Sequence, residues 1–290
     1  MPASVRTLTN QDLPKVTELL NRKPFENVFV ASRIRTGGLE AFMLGCDVWG
    51  YEEDGELVSI LHHGANMVPV NGTPEALDAY VARIGPIRTC ASILGVAGEA
   101  LSLYEKLSRK WPGAWQRPRE IRACQPLMVI SGPPTAEADP RVRRVGPGDA
   151  ESYFAAAVAM YTEEVGVSPL DGTNGYRWYV DRLLETGCAM GIVENGEVIF
   201  KSDVGSSTTQ VCQVAGVWLR PDLRGRGRST PAMAAVVDLC RERWQHVTLY
   251  VNDFNTTARA LYRRVGFDEV GSLATVLYRP PQGLMTKNTR

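Results

Sequence analysis

The chain has 290 residues, 44% of them hydrophobic and 22% charged, and its 32 basic residues balance 32 acidic ones. This length favours two domains over one, and the composition is typical of a soluble globular protein. The zero formal net charge excludes the strong basic excess of an electrostatic nucleic-acid binder.

The cysteines and histidines show no metal-binding or disulfide pattern. The six cysteines have no short paired spacing and lie at positions 46, 90, 124, 188, 212 and 240. Three histidines, two of them adjacent, argue against a metal centre. No apolar run is long enough to cross a bilayer, and the first residues lack the basic and apolar regions of a signal peptide. We therefore expect a reduced, cytoplasmic protein that binds neither a metal nor a membrane.

The first half, residues 1–131, alternates strand and helix patterns. Asp12 is predicted to cap the helix that follows the first strand. Asp54-Gly55 between two apolar runs predicts a β-hairpin, and Thr73 before a proline predicts the start of a helix. The strands are predicted at 4–8, 48–51, 57–61, 65–70, 89–94 and 120–131, and the helices at 13–20, within 25–45, at 74–84 and at 99–110.

A proline-rich linker is predicted at 132–140, and after it the plan of the first half recurs. Three matches follow in the same order: Val5-Arg6-x-Leu8-x-x-x-Asp12 with Val142-Arg143-x-Val145-x-x-x-Asp149, Glu53–Leu57 with Glu194–Val198, and Leu103-Tyr104 with Leu261-Tyr262. The offsets between the matches differ, which favours two copies of one fold with loops of different length.

The second domain, residues 141–290, is predicted to be a mixed α/β sheet. Its strands are predicted at 142–145, 189–194, 197–205, 210–219, 247–251 and 273–277. Its helices are predicted at 150–161, 176–186 and 256–265, with one more whose first turn contains Pro231. The stretch 163–175 is predicted to be irregular.

The stretch Val217–Ser229 organises the predicted chemistry. An apolar strand ends at Pro221, two glycines let the backbone turn tightly, and a helix pattern follows. The start of a helix offers amide N–H groups without intrahelical acceptors, and the helix dipole favours an anion there. Four arginines, at 220, 224, 226 and 228, surround the glycines. The stretch therefore predicts a pyrophosphate site, and the alternative for any one arginine is a solvated basic rim.

This loop and a second motif resemble the GNAT superfamily of acyl-CoA-dependent N-acetyltransferases. The family's phosphate loop, Arg or Gln, two residues, Gly, one residue, then Gly or Ala, is similar to Arg224-Gly225-Arg226-Gly227-Arg228-Ser229. The second motif, Asn255-x-x-Ala258-x-x-Leu261-Tyr262-x-x-x-Gly266-Phe267, follows a strand, as in the family. Two departures are Ser229 in place of the small Gly or Ala, and Arg228 where an apolar residue is common. The resemblance covers roughly 141–280.

The resemblance implies a mixed α/β fold of two tandem GNAT-like domains, the first degenerate. The whole chain also resembles actinobacterial two-domain proteins with an uncharacterised amino-terminal module. The implied co-substrate is acetyl-CoA, or another acyl-CoA, and the implied reaction moves the acyl group to a primary amine by direct attack in a ternary complex. The implied CoA-binding residues are Val217, Trp218, Leu219, Arg224, Gly225, Arg226, Gly227, Arg228, Ser229, Thr230, Asn255 and Tyr262. The acceptor stays open between a small molecule, a peptide and a protein N-terminus.

The catalytic candidates follow from the same resemblance. Tyr262 matches the family tyrosine near the CoA sulfur and is the candidate acid for the departing thiolate; its alternative is a packed helix tyrosine. Many family members carry a glutamate where this chain has about Gln213, which cannot accept a proton. The candidates for the base are therefore Glu163, Glu164 and Asp203, each with a surface carboxylate as the alternative.

Four other residues keep two interpretations each. Asn255 either bonds the pantetheine or caps the helix that begins at Thr256. Trp178, Tyr179 and Tyr161 either line the acceptor pocket or belong to the core.

The first half lacks a working counterpart of the loop. Its equivalent, Pro69–Glu75, has no arginine and one glycine, and Glu75 would repel phosphate. Tyr104 matches Tyr262 but is expected to be packing, so we expect this half not to bind CoA. Two alternatives to the enzyme stay open: a non-catalytic acyl-CoA-binding or regulatory module, which Gln213 favours, and a nucleic-acid binder, which only the arginine loop favours.

Overall fold

The computed structural model describes residues 4–170 and 172–279. The elements of the first half are β1 (Ser4–Thr7), α1 (Leu13–Asn21), α2 (Val28–Gly37), α3 (Ala41–Leu44), β2 (Asp47–Glu53), β3 (Glu56–His63), β4 (Asn66–Val70), α4 (Pro74–Ile84), β5 (Ser92–Val96), α5 (Ala97–Lys110), α6 (Pro112–Trp115) and β6 (Glu120–Ile130). Those of the second half are β7 (Arg143–Arg144), α7 (Ala150–Val165), α8 (Gly175–Glu185), β8 (Ala189–Glu194), β9 (Glu197–Ser207), β10 (Val211–Leu219), α9 (Ser229–Arg241), β11 (His246–Tyr250), α10 (Thr256–Val265) and β12 (Asp268–Leu277). Short 3₁₀ turns lie at Asn10–Asp12, Pro147–Asp149 and Pro221–Leu223.

The chain forms two compact units that share one strand plan. The first unit comprises the residues up to Leu127 together with those from Val270, and the second is Met128–Glu269. In the first, β1 to β4 pair antiparallel in sequence order, and β4 pairs parallel with β5. In the second, β7 to β10 pair antiparallel, and β10 pairs parallel with β11.

Each sheet buries apolar side chains on both faces. In the first unit, α1 and α2 pack over one face, and α4 and α5 pack over the other around the fully buried Tyr80 and Trp115. In the second, α9 and α10 cover one face, and α7 and α8 cover the other around the fully buried Tyr153. Helices on both faces of a mixed sheet confirm the predicted α/β class.

The repeat predicted from the sequence has the same physical form in both units. Arg6 Nη2 lies 2.7 Å from Asp12 Oδ1 in the first unit, and Arg143 Nη2 lies 2.8 Å from Asp149 Oδ2 in the second. Each pair joins an edge strand to the 3₁₀ turn that precedes the first helix of its unit.

The second match also recurs as geometry. Asp54 and Gly55 adopt φ of 50° and 84°, and Asn195 and Gly196 adopt φ of 52° and 80°. Two successive positive φ values are those of the hairpin turn that Asp-Gly and Asn-Gly favour. The two hairpins, β2–β3 and β8–β9, therefore have one turn type.

Three expectations about elements need correction. The strand expected to end the second domain is β12, which pairs antiparallel with β5, and its Ala274 and Val276 lie in the core of the first unit. The stretch expected to be irregular from residue 163 begins later, because α7 continues to Val165 and ends at Gly166 in the left-handed conformation. Asp12 does not cap α1; its carboxylate accepts the backbone N–H of Thr9 at 2.8 Å in a capping box around the 3₁₀ turn.

The predicted linker is packed rather than free. The N–H of Thr135 donates to the carbonyl of Val265 at 2.9 Å, and that of Asp139 donates to the carbonyl of Pro231 at 3.0 Å. Asp139 is buried and binds the guanidinium of Arg141. Residues 132–140 therefore lie along the second unit. None of the helices in the two described ranges is long and apolar enough to cross a membrane.

Candidate active site

The centre of the second unit is the place where β10 parts from β11. The parallel pairing covers only Val211, Cys212 and Gln213, and Gln213 faces Thr248. From Val214 to Leu219 the recorded pairing of β10 is with β9 alone. The two strands therefore diverge beyond Gln213, and the backbone of the second half of β10 has an open edge.

The groups on this open edge follow from the alternation of a β-strand. The N–H of Arg220 donates to the carbonyl of Ile199 on β9 at 2.9 Å. Since successive N–H groups of a strand point to opposite edges, that of Leu219 points away from β9. Leu219 is one of the three strand residues that the resemblance places beside the CoA.

A β-bulge interrupts β10 at the same level. Ala215 faces Asp203 and Trp218 faces Lys201, so Gly216 and Val217 together oppose a single residue of β9. Gly216 adopts φ +58°, and a Cβ there would lie 2.6 Å from a carboxylate oxygen of Asp203 and 2.8 Å from Nζ of Lys201. Positive φ and lack of space both require glycine at this position.

The arginine–glycine loop follows β10 and leads into α9. Gly225 and Gly227 adopt φ of +74° and +73°, with open space where a Cβ would project. In the part of the chain that the structure describes, no protein acceptor is recorded for the backbone N–H groups of residues 225–230. Since the helix dipole also favours negative charge there, the loop has the physical properties of an anion site.

The four arginines of the loop differ in their partners. Arg220 binds Asp222 at 2.7 Å and Glu197 at 2.8 Å, which makes it part of a surface ion-pair network. Arg224 donates to both carboxylate oxygens of Glu163, at 2.6 and 2.8 Å, and its Nε donates to the carbonyl of Leu219.

Arg226 and Arg228 have no ion pair among the residues that the structure describes. Arg226 is exposed and Arg228 half-buried, and both flank the glycines of the loop. These two side chains are the ones with guanidinium groups available to a phosphate.

The carboxylate of Glu163 is tied to this loop. Besides its two bonds from Arg224, it accepts the indole N–H of Trp218 at 3.3 Å. The hydrogen bonds from Arg224 hold the pKa of Glu163 below its ordinary value. This carboxylate joins the end of α7 to the start of the loop and is a weak proton acceptor.

Asp203 is buried beneath the bulge. One of its carboxylate oxygens accepts the hydroxyl of Tyr153, and the other lies 2.6 Å from Nζ of Lys201. Burial and the Asp203 charge raise the pKa of Tyr153 well above its ordinary value. Both oxygens of Asp203 are thus engaged by neighbouring side chains.

Glu164 and Tyr262 lie close enough to interact electrostatically. Burial, and then the charge of Glu164, raises the pKa of Tyr262, so this phenol stays protonated at neutral pH. The ring of Tyr262 packs edge-on against that of Phe267, with the ring centroids 5.9 Å apart, and only 7% of Tyr262 is exposed. Its hydroxyl has no protein partner among residues 4–170 and 172–279. Of the three candidate bases, Glu164 is the one whose charge contributes to the pKa of Tyr262.

Asn255 and the aromatic candidates take definite places. The side-chain oxygen of Asn255 accepts the N–H of Ala258 at 3.1 Å, which confirms the capping interpretation. Tyr161 packs against Tyr176 with ring centroids 5.4 Å apart, and Tyr179 lies 6.1 Å from the same ring. Trp178 is 69% exposed and points away from the core.

The sequence interpretation missed three residues of this region: Tyr153, Tyr176 and Lys201. A signal for Lys201 was present, because Lys201 and Asp203 are two residues apart in a strand and therefore share a face. A cation and an anion on one face of a mostly apolar strand indicate a buried pair.

In the equivalent loop of the first unit, side chains accept two of the backbone N–H groups at the start of α4. The N–H of Gly72 donates to a carboxylate oxygen of Glu99 at 2.9 Å, and Thr73 accepts the N–H of Ala76 at 3.2 Å. Tyr104 is half-buried against the core, as expected. Among the described residues of the chain, no cluster of three or more His, Cys, Asp and Glu side chains can hold a metal ion.

Two family models match the chain. Residues 151–267 match the Acetyltransferase (GNAT) family, and residues 46–153 match a domain of unknown function, DUF4081. No match was found among curated proteins.

Solved structures support the same fold along nearly the whole chain. A GCN5-related N-acetyltransferase from Sphaerobacter thermophilus is similar with a TM-score of 0.61 and 18% identity over 98% of both chains. A GNAT-family acetyltransferase from Colwellia psychrerythraea has a TM-score of 0.57 and 10% identity over 95% of this chain and 100% of its own. A tandem GNAT protein from the clavulanic acid biosynthesis pathway has a TM-score of 0.50 and 13% identity over 96% of this chain and 99% of its own.

At these identities the similarity concerns the fold, and it confirms the predicted tandem GNAT-like architecture. The amino-terminal match to an uncharacterised domain fits the predicted degenerate module. The carboxy-terminal match lies on β10, the arginine–glycine loop and α9. Residues 151–267 therefore form a domain of the GNAT acetyltransferase family.

Proposed function

We propose that this protein is an N-acyltransferase that moves an acetyl group from acetyl-CoA to a primary amine by direct attack in a ternary complex. The observation that carries the proposal is the open edge of β10 leading directly to the amides of residues 225–230, which have no protein acceptor. A strand edge and an anion site in this order suit a molecule with a peptide-like arm and a pyrophosphate.

Binding of acetyl-CoA uses mostly backbone groups. The amides of residues 225–230, among them those of Ser229 and Thr230, bind the pyrophosphate, and Arg226 and Arg228 supply positive charge. The pantetheine arm pairs with the edge at Val217, Trp218 and Leu219, as an added strand would. Asn255 is left with its amide nitrogen as a further donor.

In the chemical step, the amine nitrogen attacks the thioester carbon, the C–S bond breaks, and the nitrogen loses a proton. The N–H of Val217 stabilises the developing oxyanion. Tyr262, which stays protonated, donates its proton to the departing CoA thiolate. Glu164, the neighbour of Glu163 near the end of α7, accepts the proton that the amine loses. Glu163 and Asp203 are excluded from this role by their bonds to Arg224, and to Lys201 and Tyr153.

The acceptor side is the cluster of Tyr161, Tyr176 and Tyr179 at the end of α7 and on α8. A small molecule, a peptide and a protein N-terminus are all compatible with a primary amine there. Neither nucleic acid nor membrane is a partner in this proposal, and the reaction takes place in the cytoplasm, where acetyl-CoA is present.

The second candidate function is a non-catalytic acyl-CoA-binding module. The observation that favours it is Gln213, which is 8% exposed, lies where β10 and β11 part, and carries no proton acceptor. In that case acetyl-CoA binds but no variant of Tyr262 or Glu164 has a chemical effect.

The experiment measures acetyl-CoA binding by calorimetry and thiol release with a panel of primary amines. Tyr262→Phe is expected to lower kcat by about 10²–10⁴-fold, as loss of a general acid does, while acetyl-CoA still binds. Glu164→Gln is expected to lower kcat by about 10²-fold. The matched control on the same helix is Glu151→Gln, whose carboxylate is exposed and pairs with Arg177.

Three outcomes oppose the proposal. Acetyl-CoA binding without thiol release in the whole panel supports the non-catalytic module. A large loss of kcat in Glu163→Gln with full activity in Glu164→Gln moves the base to Glu163. Retention on heparin that free CoA does not weaken would favour nucleic-acid binding at the arginine loop.

A further inference from the structure

The second unit contains a lysine whose environment the proposed reaction leaves unexplained. Lys201 is fully buried, and its ammonium lies 2.6 Å from Asp203 and 3.0 Å from the carbonyl oxygen of Gly216. The ammonium also lies 5.3 Å from the centre of the Tyr153 ring. A buried ion pair is weak evidence for stability, because apolar residues of the same volume often serve as well or better. Such a pair is informative for what it holds in place.

The group it holds is the bulge of β10. Gly216 is the residue that takes positive φ there, and its carbonyl points inward to Lys201 instead of along the sheet ladder. In a trans peptide the C=O and N–H point in opposite directions, and no cis peptide occurs in the described residues. The N–H of Val217 belongs to this same peptide and therefore points away from Lys201.

The ammonium also affects the strength of this donor. Hydrogen bonds in a chain polarise one another, and a charged donor on the carbonyl makes the N–H at the other end of the peptide a better donor. The charge acts over a short distance in a buried region where water does not screen it.

We propose that Lys201 is a positioning residue for acyl transfer: its buried ammonium fixes and polarises the Gly216–Val217 peptide, so that the Val217 N–H faces the thioester carbonyl. Asp203 and Tyr153 hold Lys201 in turn, since the carboxylate accepts from both. The inference rests on the proposed function, because the carbonyl in question is that of acetyl-CoA.

The test uses the full chain and acetyl-CoA labelled with ¹³C at the thioester carbonyl. Infrared difference spectra give the stretching frequency of the bound carbonyl, which falls as the hydrogen bond to it strengthens. Calorimetry gives the affinity for acetyl-CoA, and thiol release with an acceptor amine from the panel gives kcat.

Two variants remove the ammonium. Lys201→Met leaves Asp203 buried without its cation, and this variant alone is at risk of failing to fold. The double variant Lys201→Met/Asp203→Leu removes both charges, which a protein interior tolerates better. Tyr80→Phe is the matched control, since it removes a buried hydrogen bond to Ser59 in the first unit.

In the wild type the carbonyl frequency is expected to fall on binding. In both variants without Lys201 most of that fall is lost and kcat decreases by about 100-fold, the effect of a small misplacement at a reacting centre, with a far smaller change in acetyl-CoA affinity. Tyr80→Phe keeps the frequency of the wild type.

A folded double variant with the wild-type carbonyl frequency and kcat overturns the inference and leaves the proposed function intact. A wild type that binds no acetyl-CoA overturns the proposed function and this inference together. Equal losses in affinity and kcat also overturn the inference, because they indicate a general distortion of the site.

Discussion

Replacement of Gly216 by alanine tests how tightly the bulge of β10 is fitted to the buried ion pair. The added Cβ would lie 2.6 Å from Oδ2 of Asp203, 2.8 Å from Nζ of Lys201 and 3.1 Å from Cε of Met160. Met160 has a flexible side chain that can move. The two charged groups cannot move without lengthening the bond that each makes to the other.

The expected cost has two parts. An alanine in the left-handed region costs about 1–2 kcal/mol. Loss of one partner of a buried ion pair costs about 3–5 kcal/mol, and displacement of one partner costs up to that amount. We therefore expect Gly216→Ala to lower the free energy of unfolding of the second unit by about 3–5 kcal/mol, most of it from the ion pair.

Gly166→Ala is the matched control, because Gly166 ends α7 at φ +75° with nothing within 4 Å of the added Cβ. Gly166→Ala is expected to lose only the backbone contribution, about 1–2 kcal/mol. Urea unfolding followed by tryptophan fluorescence gives both values, since the midpoint shifts with stability when the slope is unchanged. Equal midpoints for the two variants would refute the argument that the bulge is fitted to the ion pair.

Two further predictions concern charged groups of the first unit. Hydrogen bonds from Arg6 lower the pKa of Asp12 to about 2, so its contribution to stability is complete above the ordinary value of 3.8 and is lost as the pH falls through 2. Asp12→Asn is expected to lower the free energy of unfolding by about 1 kcal/mol at pH 7 and not at all below pH 2. The loss is expected to exceed that of the matched Asp149→Asn, because the Asp149 carboxylate accepts from only one arginine nitrogen. Equal losses in urea titrations would contradict this prediction. Burial raises the pKa of Glu99, so its charged form destabilises the fold above that pKa. Glu99→Gln, whose amide oxygen can still accept the N–H of Gly72, is expected to raise the urea midpoint at pH 7 and to lose this advantage as the pH falls below the ordinary glutamate range. A lower midpoint at pH 7 would contradict this prediction.

The parts of the fold that the sequence predicts well depend on local rules. Asp54-Gly55 and Asn195-Gly196 require the turn that both hairpins adopt, and Thr73 caps α4 as expected. The repeat was readable because its strongest match, an arginine six residues before an aspartate, forms the same ion pair in both units. The residues that form these turns, caps and ion pairs lie close together in the sequence, so the sequence predicts them without knowledge of the tertiary structure.

The parts that the sequence does not predict depend on contacts between distant residues. No local pattern predicts that β12 pairs with β5, because the paired residues lie about 180 positions apart in the chain. The bonds that Glu163 makes to Arg224, 61 residues away, cannot be read from either segment. The packing of Tyr161 on Tyr176 is equally a matter of how α7 and α8 meet.

The two units share one strand plan but differ in the partners of the loop that follows the fourth strand. Both place a loop and a helix start after the fourth strand of the plan, where backbone N–H groups favour an anion. In the second unit, glycines and arginines leave those groups open to an external phosphate. In the first, the carboxylate of Glu99 accepts the N–H of Gly72, and the side chain of Thr73 accepts the N–H of Ala76. The first copy therefore carries its own carboxylate at the loop, and we propose that this carboxylate, more than the missing arginines, keeps CoA from binding there.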